Sequence, residues 1–108
     1  MNRHDFNEKD WRLFRSKIAE WQESFMDRLN KEYIDLLSGD AKASDKFWEL
    51  DRRIRSDKKK AGVQLNMSRS SMIFHLVSLV NEGAITLADL EMFSETLQET
   101  VKSMLGIQ

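Results

Sequence analysis

The chain has 108 residues, of which 41% are hydrophobic and 32% charged, and its formal net charge is −1. Such a balance describes a globular chain of one-domain size with room for a modest core, and argues against a disordered polyelectrolyte. Cysteine and proline are absent and glycine occurs four times, which rules out disulfides, thiolate nucleophiles and cysteine metal sites and leaves few helix breakers. The expectation is an all-α fold: one domain over residues 1–108, a helical bundle of about four helices with a long first helix.

The first helix is expected from Asp10 to Leu37. Trp11, Phe14, Ile18, Trp21, Phe25, Leu29, Tyr33 and Leu36 recur at spacings of three and four, which places them on one stripe. Asp10 is the expected N-cap, and Ser38-Gly39-Asp40 the stop, with Gly39 suited to a left-handed turn. At 1.5 Å per residue this helix is roughly 40 Å long, an overhang for so small a domain. A symmetric dimer would cover the overhanging aromatics.

A second helix is expected from Ser44, with Phe47, Leu50 and Ile54 as its apolar face and Trp48 to one side. It thins into the basic run around Lys58, Lys59 and Lys60, where cations complement a helix C-terminus. The third helix is expected over Ser68–Asn81. Met72, Ile73, Leu76, Val77, Leu79 and Val80 cover nearly half its circumference, against a narrow polar strip of Ser71, His75, Ser78 and Glu82, and Gly83 ends it. A serine-rich start at Ser68-Arg69-Ser70-Ser71 can hold an anion, although serine there is commonly a simple cap. The fourth helix is expected to run on from Thr86, with Asp89 completing a capping box and Leu87, Leu90, Phe93, Leu97, Val101 and Met104 as its stripe.

Charge is distributed unevenly. Residues 41–70 hold nine basic and four acidic side chains, whereas residues 71–108 hold one basic and five acidic. Arg52, Arg53, Arg55, Lys58, Lys59, Lys60 and Arg69 are the candidate contacts to a partner or nucleic acid, and Trp11, Phe14, Trp21, Phe25 and Trp48 the candidate packing or interface anchors.

Catalysis finds no support in the residues. His4 and His75 are the two histidines, and neither has a partner at helical metal spacing. The carboxylates match solvated helix faces, and no phosphate loop or nucleophile elbow occurs. The segment leading into Gly83 is superficially like a calcium loop, but Val80 would stand at a ligand position. A non-enzyme without cofactor or metal is expected. No apolar stretch approaches the ~20 residues that cross a bilayer, and the first nine residues are polar, so the expectation is a cytoplasmic protein without membrane contact.

Residues 61–85, containing LNMSRSSMIFHLVSLVNEGAI, resemble the turn and recognition helix of helix-turn-helix regulators. The resemblance places Gly62 at the small site, Asn66-Met67-Ser68 at the turn, and Met72, Leu76 and Leu79 inside. It implies DNA binding, but puts Ile73 and Phe74 where base-reading polar side chains are usual. The chain also resembles small uncharacterised helical proteins of Gram-positive gut bacteria, through NRHDFNEKDWRLFRSKIAEWQ, DKFWELDRRIR and GAITLADLEMFSETLQETV. Some of those carry the label "multidrug transporter", which no segment here could serve by spanning a membrane; the resemblance implies no activity and no functional residues. The functional expectation is a non-enzymatic macromolecular interaction protein, a dimeric helical adaptor or regulator with a protein partner such as a second copy of itself. A small DNA-binding regulator is the alternative.

Overall fold

Thirty residues free of proline and glycine carry the chain from Glu8 to Leu37 as one helix, α1, in a computed structural model that describes residues 7–107. Three further helices follow: α2 (Ala43–Asp57), α3 (Met72–Asn81) and α4 (Glu95–Leu105). Short 3-10 turns at Arg69–Ser71 and Leu87–Leu90 lead into the last two, and no strand occurs among the described residues. The fold is all-helical, as its pattern predicts.

The helices divide between a body and an arm. In the body, the first half of α1 packs with α3 and α4. Phe14, Leu76, Leu79, Leu97 and Val101 are fully buried there, joined by Trp11, Ile18, Ile85 and Phe93. In the arm, α2 returns along the second half of α1, and Asp57 is its one buried residue. The arm stretches the molecule to 59 × 27 × 18 Å.

Residues 58–68 join arm to body and are pinned from both sides. Gln22 Nε2 donates to the Ala61 carbonyl at 2.9 Å. The backbone N–H groups of Ala61 and Gly62 donate to the two carboxylate oxygens of Glu82 at 2.9 and 3.0 Å. Gly62 is required by close approach: a Cβ there would stand 2.4 Å from Phe25 Cδ2, inside the contact distance of two carbons. Between α3 and α4, Gly83 adopts φ 78°. The N–H of Gly83 bonds to the Val80 carbonyl and that of Ala84 to the Leu79 carbonyl, closing α3 with a Schellman turn.

Several local expectations are corrected. Asn7 caps α1, its side chain accepting the Asp10 N–H at 2.7 Å. Asp10 instead lies inside α1, 2% exposed, and holds Ser94, the residue that caps α4, across the body. Its carboxylate accepts from Ser94 N at 2.9 Å and Ser94 Oγ at 2.6 Å, while Ser94 accepts the Leu97 N–H. Gly39 does not take a left-handed turn; α1 ends on Ser38 with ordinary backbone angles. Helix α2 begins one residue before Ser44, without a side-chain cap. Ser68 precedes a 3-10 turn rather than an α-helix and caps the Ser71 N–H. The Thr86–Asp89 capping box forms, but the helix it starts lasts only to Leu90, and a turn intervenes before Ser94 starts α4. Met104, expected on the buried stripe, is 45% exposed.

Candidate functional site

Two antiparallel helices can bury only the sides that face each other. Along the arm this contact is mostly polar. Asp57, at the base, is 3% exposed. It accepts from Tyr33 Oη at 2.5 Å, with Lys60 Nζ at 3.1 Å and Arg53 Nη2 at 3.6 Å. Arg53 also pairs with Glu32 at 2.6 Å and lies over the Tyr33 ring. Burial alone would push the Asp57 carboxyl up, but the Tyr33 hydrogen bond and the Lys60 and Arg53 cations together hold it below the ordinary range. The Tyr33 phenol is pushed up to about 12, by burial first and then by its bond to Asp57.

The apolar residues left over share one side of the arm. Met26, Asn30, Ile34 and Leu37 follow helical spacing on α1, as Phe47, Asp51, Ile54 and Lys58 do on α2. Members of both rows, Met26 and Asn30 with Ile54 and Lys58, line a groove of about 250 Å³ floored by Leu29 and Tyr33, so both rows open on the same side. Towards the tip the rows become bare: Ile34 is 61% exposed, Leu37 45% and Phe47 62%. Trp48, 63% exposed, stands edge-on against Phe47 with ring centroids 5.0 Å apart.

The candidate anchors therefore separate. Trp11, Phe14 and Phe25 are buried, and Trp21 packs partly buried against the body core. Trp48 packs against no core, and Phe47, expected on the buried face of α2, lies open; the helix has no second layer to receive it. Ile34 and Leu37 belong to the same bare face, a grouping that α1's own periodicity hides because the main stripe lies to one side.

The basic residues do not form one patch. Arg52 pairs with Glu49, Arg55 with Asp51 at 2.8 Å, and Arg69 with Glu8 on the body at 2.7 Å. Lys58 and Lys59 make no ion pair among the described residues; Lys58 borders the arm groove, and Lys59 a separate pocket under residues 61–68. Within the helix-turn-helix resemblance, Ile73 is buried and Phe74 is 62% exposed. Eleven residues separate α2 from the 3-10 turn at Arg69, where the motif uses a turn of about three or four. His4 lies outside the described residues. Among the described residues no group of three or more His, Asp or Glu side chains could hold a metal ion, and no helix is long and apolar enough to cross a membrane.

Comparison with family models, with curated proteins and with solved structures returned no match.

Proposed function

We propose that this protein is a non-enzymatic interaction protein, a helical adaptor or regulator, whose arm pairs with the arm of a second copy. The observation that carries the reading is the exposure of Ile34, Leu37 and Phe47, which share helical register with the residues lining the groove between α1 and α2. Helical domains are built from at least two packed layers, and the arm is one layer thick. Monomeric proteins rarely leave large apolar side chains grouped in water. A two-fold axis through this face would set two hairpins against each other as a four-helix bundle, each patch covering its own copy.

Size-exclusion chromatography with light scattering tests this. The wild-type chain is expected at twice its 12.7 kDa mass, and Phe47→Asp at the monomer mass with an unchanged helical spectrum. A wild-type monomer throughout the micromolar range ends the proposal. The second reading, a small DNA-binding regulator, draws support from Lys59, without an ion pair among the described residues and lining the same pocket as Ser68 and Ser71 at the serine-capped entry to α3. A mobility shift at low salt, where phosphate contacts are strongest, tests it; no retardation removes it.

A further inference from the structure

The polar strip of α3 is not simply a solvated edge. Residues 59–68 fold back beside it and border an open cleft of about 490 Å³, whose lining includes Lys59, Asn66, Ser71, His75, Ser78 and Glu82. That volume lies within the range of small-molecule sites. Its polar groups divide into engaged and free. The one carboxylate that the described residues bring to the pocket wall, Glu82, has each oxygen turned to a backbone N–H, of Ala61 and of Gly62. By contrast, the Ser71 and Ser78 hydroxyls, the Asn66 amide and the Lys59 ammonium have no protein partner among the described residues.

His75 adds a further free group. Its Nδ1 is closed off from solvent with no hydrogen-bond partner, and its ring stacks over Phe14 at 6.4 Å. That leaves Nε2 as the nitrogen the ring can turn to the pocket. Burial depresses the imidazolium, so near neutral pH the ring is uncharged and offers at most one N–H. Among the described residues, the pocket lining thus holds a cation without an ion pair, hydroxyl and amide groups without a protein partner, and a carboxylate already met by two backbone N–H groups. The unmet charge facing a guest is that of Lys59, and the hydroxyl, amide and imidazole groups, which can donate as well as accept, can turn their donors to an anion.

We infer that this pocket binds the oxyanion of a small molecule, a carboxylate or a phosphate, with Lys59 as counter-charge and Ser71, Ser78, Asn66 and His75 as hydrogen-bonding groups. The site lies on the body, away from the bare face of the arm, and does not depend on self-association.

Amide and imidazole NMR shifts of the full chain, titrated separately with sodium acetate and sodium phosphate against sodium chloride at matched ionic strength, test the inference. Saturable shifts confined to Lys59, Asn66, Ser71, His75 and Ser78 are expected with at least one oxyanion, and the better of the two identifies the headgroup. Lys59→Ala should weaken that binding about tenfold, the loss of one charge-assisted hydrogen bond. Lys31→Ala, which removes an exposed lysine paired to Asp27 on the arm, should leave it unchanged. Shifts that grow linearly and equally in chloride overturn the inference, as does a Lys59→Ala protein that stays folded and binds as tightly as wild type.

Discussion

Trp11, Phe14 and Ile18, in the first half of α1, lie against α3 and α4 and are almost wholly removed from water, whereas Ile34 and Leu37, at the end of the same helix, stand in the open. The helix is continuous and apolar residues recur along both halves. What differs is the number of neighbours: two helices surround the first half, and beyond the linker contact at Phe25 and the Arg28 bond to Gly83, α2 accompanies the second. A single neighbour covers one side of a helix, and the arm gives much of that side to the Asp57 cluster. Body and arm therefore fold by different means, close packing in one and a buried carboxylate with its donors in the other.

The sharpest test of this contrast is to truncate, on the body side, two residues that hold its helices together. Leu76→Ala, at a fully buried site, should cost about 2–5 kcal/mol in urea unfolding, because the surrounding helices cannot collapse into the void. Asp10→Ala should cost about 1.5–3 kcal/mol by removing the buried carboxylate that accepts two hydrogen bonds from Ser94, the cap of α4, measured by the same denaturation. A cost near zero would mean that α4 docks without this tie.

The arm's polar latch makes a prediction of direction with pH. The Tyr33 phenol rises from 10.0 to about 12 on folding, so its contribution is intact below pH 10.0 and is lost as pH climbs through about 12. The Asp57 carboxyl is depressed on folding, so its contribution is present above the ordinary carboxylate range and disappears as pH falls below it. Phenolate absorbance of the single tyrosine reads the first directly, and Asp57→Asn should return the midpoint towards 10.0. A midpoint unmoved by that substitution would detach Tyr33 from the latch. The smallest effect on stability is expected for Phe47→Ala, within about 0.5 kcal/mol for the monomer, accompanied by a shift of the association equilibrium read by light scattering. A loss of monomer stability as large as that of Leu76→Ala would show that the arm face is already covered within one chain.

The candidate site was readable only in part. Periodicity placed Phe47 and Trp48 on a helix, but placed Phe47 on the buried side, because an apolar face announces that it needs covering without saying by what. Ile34 does not belong to the main stripe of α1, and its alignment with Leu37 and Phe47 emerges only when α2 is laid beside α1. Asp57 sat within a charge run that reads as solvated, and nothing near it in the chain marks it as the buried member, since Tyr33 comes from another helix. The polar strip of α3 was plain, but not the folding-back of residues 59–68 that makes a pocket of it.

Helical periodicity and the near-absence of breakers determined the all-helical class, the long first helix, the core of α3 and the ends set by Gly83 and the Thr86–Asp89 box, since these follow from backbone sterics and contacts three or four residues apart. Tertiary structure decided which end of α1 is buried, that Asp10 is tied to the cap of α4 rather than capping its own helix, and that most of the basic run is paired with carboxylates. Each of those outcomes joins groups distant in sequence or selects among nearby charges, and a local pattern carries no record of which partner arrives in space.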